Sequence, residues 1–293
     1  MDSNSLGAHG QLDQVVNVAQ VQKRSPFRYP GGKTWLVPRI QKWLGARNPK
    51  PVQLFEPFAG GAIVGLTAAF DLLAEHVTLV ELDEQVAAVW ETILAKGGAE
   101  WLARQIMQFD MTPDNVNALL SKDKLTPRER AFQTIVQNRV NRGGILAPGA
   151  GLIKSGENGK GISSRWYPET LAKRIRDIHS IRDRLTFVCG DALTVIERFR
   201  DDPQVAFFID PPYTAGSGKR AGNRLYKHFQ LDHERLFTLL GSVQGDVLIT
   251  YDDDEYVRTL AERHGFIYRP VAMKNTHHAE MKELLIGRNL DWL

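Results

Sequence analysis

Residues 205–213 read Val-Ala-Phe-Phe-Ile-Asp-Pro-Pro-Tyr, and the last four could do chemistry on an amino group. The exocyclic amine of a nucleobase is a poor nucleophile because its lone pair is delocalised into the ring. Two acceptors, the Asp210 carboxylate and the Pro211 carbonyl, could each take one amino hydrogen, pulling the nitrogen toward tetrahedral geometry and freeing the lone pair. Tyr213 could stack on the base, which must leave the duplex to reach such a pocket. The same residues also suit a turn that merely ends a strand, so their meaning depends on partners elsewhere in the chain.

The elements that must position them are legible. Val205–Ile209 is a short, continuously apolar run, as in a buried strand of a parallel sheet. It stops at Asp210, and Pro211 and Pro212 cannot continue a ladder. In open α/β sheets, ligands sit at the carboxyl ends of the strands. A second such end is Val52–Phe55, followed by the turn Glu56-Pro57-Phe58-Ala59-Gly60-Gly61 and an apolar helix over 62–73. Gly60 and Gly61 permit a sharp turn and close ligand approach. Glu81 closes the next strand 21 positions after Gly60, where a carboxylate takes the ribose hydroxyls of an adenosine ligand. A purely structural turn would look similar. The dinucleotide fingerprint G-x-G-x-x-G is absent, which weighs against nicotinamide or flavin. The Gly32-Lys33-Thr34 ending of a phosphate loop is present, but Phe27 stands where the loop needs its first glycine and no apolar strand leads in. A P-loop NTPase is excluded, and Lys33 is expected to offer its charge to a carboxylate such as that of a methionine moiety.

The bulk properties suit a soluble α/β protein: 293 residues, 43% apolar and 24% charged. No apolar run approaches the ~20 residues of a membrane span. Met1–Lys23 lacks a signal-peptide layout and reads as a flexible arm, residues 1–25 standing outside the folded body. The single cysteine, Cys189, fits a reducing cytoplasm and is expected in the core. Residues 121–185 hold 14 Lys or Arg against 6 Asp or Glu, a net of +8 that leaves −5 for the rest of a chain totalling +3. A basic segment in an acidic body is the footprint expected for a polyanion, although solvated helix faces also carry charge runs.

The βα alternation of residues 26–99 resumes at Thr186, making one catalytic domain from 26–99 and 186–293. In its second part, strands near 186–189, 205–209, 247–250, 267–272 and 284–286 alternate with helices near 192–199, 233–240 and 254–264. Residues 100–185 interrupt it with helices over 127–138 and 168–184 around a glycine-rich span, 142–165, that reads as loops and a hairpin. Lys122, Lys124, Arg128 and Arg130 are the expected phosphate contacts there. Arg139, Asn141, Arg142, Lys154, Lys160 and Arg165 flank or occupy the span and are the candidates for base edges. The pair His277-His278 lacks a ligand set, and no metal is expected.

Phe27-Arg28-Tyr29-Pro30-Gly31-Gly32-Lys33, then Phe55-Glu56-Pro57-Phe58-Ala59-Gly60-Gly61, then Asp210-Pro211-Pro212-Tyr213, in that order, resembles the Dam-like family of N(6)-adenine DNA methyltransferases. Asn141-Arg142-Gly143-Gly144-Ile145, Tyr251-Asp252-Asp253 and Lys282-Glu283-Leu284-Leu285-Ile286 are further echoes, and the likeness covers nearly everything after residue 25. The resemblance implies a Rossmann-like, seven-stranded methyltransferase sheet with the target-recognition region, here 100–185, inserted before the catalytic strand. It implies S-adenosylmethionine as cofactor, S-adenosylhomocysteine as product and double-stranded DNA as partner, in the cytoplasm of a bacterium or a phage-infected cell. Carried over, Tyr29 and Lys33 contact the methionine end of the cofactor; Phe55, Glu56, Pro57, Phe58 and Gly60 form its turn; Glu81, with Leu82 beside it, meets the ribose; and Asp191 accepts from its adenine amino group. Asp210, Pro211, Pro212 and Tyr213 carry catalysis, Asp210 also bordering the cofactor. The family's Cys-Phe-Asn-Gly-type run ahead of a hairpin arginine is replaced by Asn141–Ile145, which leaves the recognition sequence unread. Cytosine or an RNA base would suit the same chemistry, and a non-catalytic nucleic-acid-binding module would keep the same pocket. No endonuclease domain is expected, so a restriction role requires a separate partner and an orphan regulatory role fits equally.

Overall fold

The computed structural model describes residues 16–156, 159–213, 230–274 and 280–293. Seven strands form one sheet: β1 (Gln53–Glu56), β2 (His76–Glu81), β3 (Leu185–Cys189), β4 (Val205–Ile209), β5 (Asp246–Asp252), β6 (Ile267–Lys274) and β7 (Glu280–Gly287). Their order is β3-β2-β1-β4-β5-β7-β6. The first five are parallel, and β7 lies antiparallel between β5 and β6. This is the Rossmann-like seven-stranded arrangement expected. All five residues of β4 are buried, as a central strand covered on both faces requires. Ala206 and Phe208 enter one core while Val205, Phe207 and Ile209 enter the other, the two-residue period of a strand.

The first core is built with α1 (Val37–Gly45), α2 (Ile63–Phe70), α3 (Glu84–Leu94), α4 (Gly98–Gln108), α5 (Pro113–Leu120), α6 (Pro127–Val140) and α7 (Pro168–Ser180). The second uses α8 (Ala192–Phe199), α9 (His233–Ser242) and α10 (Glu255–Arg263). Local chemistry sets where these helices begin. Thr126 and Glu129 form a reciprocal capping box at α6, with Pro127 at its first position. Asp83, Asp191, Asp232 and Asp254 each accept a backbone N–H at the start of α3, α8, α9 and α10.

The inserted stretch between β2 and β3 is built directly onto the sheet. Leu102, Ile106, Ile135, Leu171 and Ile175 belong to the same core as Leu54, Val77 and Leu79. Three expectations need correction. Among the described residues the hairpin of the glycine-rich span is reduced to one antiparallel bridge, Asn141 to Leu152, flanked by hydrogen bonds from Arg142 N–H to the Gly151 carbonyl and Ile153 N–H to the Val140 carbonyl, with 3-10 turns over Arg142–Gly144 and Gly161–Arg165. Left-handed backbone recurs at Gly143, Gly144, Gly149, Gly156, Gly159 and Gly161, a conformation outside the extended region of strands. Cys189 is exposed rather than in the core, because β3 is an edge strand. The arm is docked where it is described: Val21 packs on the first core, and Arg24 pairs with Asp71 at 2.5 Å. Residues 1–15, the 214–229 segment after Tyr213, and His277-His278 lie outside the described residues. No helix among the described residues is long and apolar enough to cross a membrane.

Because α6 shares a core with the sheet, Ile135→Ala is expected to destabilise the whole protein by about 2–5 kcal/mol. Thermal unfolding followed by circular dichroism should show one transition at lower temperature; an unchanged main transition with a new early one would mean that the insertion folds separately.

Candidate active site

The strand order reverses between β1 and β4, where an open α/β sheet leaves a crevice for ligand. A cavity of ≈ 470 Å³ opens there, bordered by Glu56 at the end of β1, Glu81 at the end of β2, Asp191 after β3 and Asp210 after β4. Tyr29, Lys33, Pro57, Phe58, Leu82 and Pro212 line it as well. Of the expected cofactor contacts, Phe55 is corrected. It lies on the opposite face of the sheet, 1% exposed and stacked on Phe207 with ring centroids 5.1 Å apart.

Gly60 shapes the cavity from behind. Its N–H donates to Glu81 Oε2 at 2.9 Å, and its carbonyl accepts from the Trp90 indole at 3.0 Å. Its φ is +46°, and a Cβ there would stand 2.5 Å from the Tyr29 ring, so the turn needs glycine both for its backbone and for the packing of Tyr29. Glu81 holds the turn together, since its other oxygen accepts from the N–H groups of Leu82 and Asp83. Glu56 is fully buried; it accepts from the Gly65 N–H at 2.6 Å and is pushed up to about 8 by burial, with nearby Asp210 adding to the effect. Asp191 accepts from the Thr194 N–H and hydroxyl with one oxygen, Oδ2.

Around Asp210 the structure adds partners that the linear motif does not show. Its Oδ1 accepts from Thr250 at 2.8 Å and Tyr213 at 2.9 Å, and faces Lys33 Nζ at 3.0 Å. No partner for Oδ2 is found among the described residues. Lys33, only 3% exposed, also donates to the Gly31 carbonyl at 2.8 Å and lies 3.5 Å from Glu283 Oε2. These two carboxylates are the chain's own, and Lys33 also lines the cavity. Tyr213 packs within the protein. Its ring stacks on Tyr251 with centroids 5.5 Å apart, and the Lys33 ammonium sits over it 4.9 Å from the centroid. In this arrangement the Tyr213 ring packs on Tyr251 and its hydroxyl donates to Asp210. Pro211 is buried and does not line the cavity. Sequence reasoning missed Thr250 and gave Glu283 no role; β5 and β7 bring both in from far along the chain.

The nucleic-acid candidates divide. Arg142, Lys154 and Lys160 are exposed and Arg165 partly so, at the end of α6 nearest the cavity. Lys122, Lys124 and Arg128, exposed, and Arg130, half-buried, lie at the other end, roughly 20 Å away for a 14-residue helix. Arg139 and Asn141 are corrected: both are buried, at 6% and 4% exposure. Arg139 donates to the Pro26 carbonyl at 2.5 Å, and Asn141 to the Ile145 carbonyl at 2.6 Å. Burial, reinforced by the neighbouring Arg174 and Arg28, lowers Arg139 to about 9. Beside them Asn138, fully buried, accepts from the Arg28 N–H and donates to the Arg28 and Gly144 carbonyls, at 2.9, 2.9 and 2.7 Å. The cavity-lining segment 25–29 is therefore held by the inserted helices. Among the described residues no group of three or more His, Cys, Asp or Glu could hold a metal.

The raised Glu56 has a pH consequence. Its proton is held more tightly in the folded than in the unfolded chain, so its contribution is complete at acid pH and declines from the ordinary carboxylate range up to about 8. Glu56→Gln should flatten the fall in melting temperature across that window; a variant tracking the wild type at every pH would refute the assignment.

The family model for D12 class N6 adenine-specific DNA methyltransferases matches residues 29–276, which include Tyr29, the glycine turn, the inserted helices and Asp210–Tyr213. No curated protein matches the chain. Similarity to solved structures is slight. PH1948, a candidate RNA methyltransferase of Pyrococcus horikoshii, is 10% identical over 92% of each chain with a TM-score of 0.40. The rRNA methyltransferase AviRa of Streptomyces viridochromogenes is 14% identical over 94% of each chain with a TM-score of 0.40. HI0767, a candidate methylase of Haemophilus influenzae, is 13% identical over 88% of this chain and 94% of its own, with a TM-score of 0.34. The extent of the family match, over the residues that build the cavity, settles the assignment: the chain belongs to the D12 class N6 adenine-specific DNA methyltransferases.

Proposed function

We propose that the protein methylates the exocyclic amino group of an adenine flipped out of duplex DNA. The observation that carries this is Asp210: it borders the cavity, and three protein groups hold its Oδ1 while Oδ2 has no partner among the described residues. An acceptor fixed in this way suits an amino hydrogen. The Pro211 carbonyl takes the second amino hydrogen in this reading.

The cavity fits S-adenosylmethionine. Its size is that of a cofactor site; the Gly60 turn leaves no room for a side chain against Tyr29; and acids stand at the ends of four neighbouring strands. Tyr29 and Lys33 would border the methionine end, Glu56, Pro57 and Phe58 the middle, Glu81 the ribose, and Leu82 and Asp191 the adenine. Bound there, the cofactor would supply a methyl group for the substrate nitrogen, the bonding pair remaining on sulfur and the one surplus amino proton leaving to water. Lys33 and Thr250 orient Asp210, and Tyr213 adds a third donor. Residues 100–185 act as the target-recognition region, with Arg142, Lys154, Lys160 and Arg165 near the cavity facing the bases and Lys122, Lys124, Arg128 and Arg130, at the far end of α6, meeting phosphates farther along the duplex. The setting is the cytoplasm, with double-stranded DNA as partner.

Asp210→Ala should lower methyl transfer to adenine-containing duplexes by about 10²–10⁴-fold, with far less effect on cofactor affinity by calorimetry. Near-normal turnover would end the assignment. Analysis of the methylated base separates adenine from cytosine, and parallel RNA substrates separate the nucleic acids. Lys122→Ala with Lys124→Ala should reduce the slope of log affinity against log salt by about 0.9 for each phosphate no longer neutralised, and an unchanged slope would remove these residues from the phosphate contacts.

A further inference from the structure

Strands β5 and β7 place Asp252 directly opposite Glu283. Like charges in that relation destabilise a sheet, and Glu283 is only 6% exposed. Local rules broken in this way concentrate at functional sites. Glu283 is not part of the cavity wall, so cofactor binding does not account for it. Its polar neighbours are Lys33 Nζ at 3.5 Å and the Tyr213 hydroxyl at 3.1 Å. Both also attend Asp210 Oδ1, at 3.0 and 2.9 Å. A phenol has one hydrogen to donate, so Asp210 and Glu283 compete for one hydroxyl and one ammonium.

We propose that Glu283 is a positioning residue for methyl transfer, acting on Asp210 through the two donors they share. Ionised, Glu283 draws the Lys33 ammonium and the Tyr213 hydrogen toward itself, leaving Asp210 the stronger acceptor for the substrate amino group. Protonated, it yields both donors to Asp210, which then binds the amino group less well. The charged or titratable groups facing it among the described residues are Lys33, Asp210, Tyr213 and Asp252. Burial pushes Glu283 up to about 7, against the pull of Lys33 and with the help of Asp210 and Asp252, so the exchange falls in the neutral range. This inference rests on the transfer reaction proposed above.

The test is kcat against pH at saturating S-adenosylmethionine for wild type, Glu283→Gln and Glu283→Asp. Wild-type kcat should rise through neutral pH. Glu283→Gln should lack that rise and run about tenfold slower above it, with unchanged KM for cofactor, and Glu283→Asp should restore the rise. A Glu283→Gln profile that keeps the wild-type shape, even scaled down by poorer folding, overturns the proposal. A second readout needs no turnover. In protein labelled with ¹³C-glutamate, the carboxyl resonance missing from Glu283→Gln should titrate near neutrality and shift to higher pH in Lys33→Met, since a lost cation favours the protonated form. An unmoved midpoint in Lys33→Met overturns the coupling whatever the substrate. A wild-type protein that methylates no nucleic acid, yet titrates as expected, refutes the functional reading and not the coupling.

Discussion

An ammonium group with almost no access to water must be compensated where it lies, and around Lys33 that requirement organises the site. The residue follows the Gly31-Gly32 turn; Asp210 comes from the end of β4 and Glu283 from β7. Three distant parts of the chain must meet for the charge to be tolerated. Asp210 is thereby set in place by an ion pair and two hydroxyl donors. Tyr213 is drawn inward by the same group, which explains why its ring lies on Tyr251 and away from the cavity.

The wall of the cavity next to Lys33 depends on a second buried polar set. Asn138 and Arg139, on α6, bind backbone groups of residues 26–28 and Gly144, so the segment lining the cavity rests on the inserted helices. The glycine-rich loop comes as close: a Cβ on Gly144 would collide with the Arg28 carbonyl. An insertion that reads as separate in composition is continuous in packing with the sheet, sharing the core of Leu54 and Leu79. The regions that would meet nucleic acid and cofactor are thus joined by direct hydrogen bonds through residues 25–29.

Much of the fold was legible because its signals are local. The apolar run Val205–Ile209, the Gly60-Gly61 turn and the spacing to Glu81 each reflect constraints carried by a few neighbouring residues, and the strands and helices expected from them are present. The errors have one physical source. Cys189 sits in an apolar stretch, yet whether such a strand is central or at the edge depends on what pairs beside it. Arg139 and Asn141 carry the polar groups of a recognition surface, but helix phase turns Arg139 inward onto the Pro26 carbonyl, and Asn141, extended just past the helix end and bridged to Leu152, donates to the Ile145 carbonyl. Phe55 belongs to a cofactor motif, but strand alternation sends it to the far face.

By itself the sequence determined the α/β class, the order of the motifs and the identity of the acids and glycines at the strand ends, since backbone preference, helix capping and apolar period act over a few residues. Tertiary structure alone decided which charges face one another. Sequence separation says nothing about electrostatic distance: Lys33, Asp210, Thr250 and Glu283 span most of the chain and are brought within hydrogen-bond or ion-pair reach only by the parallel pairing of β4 with β5 and the antiparallel return of β7.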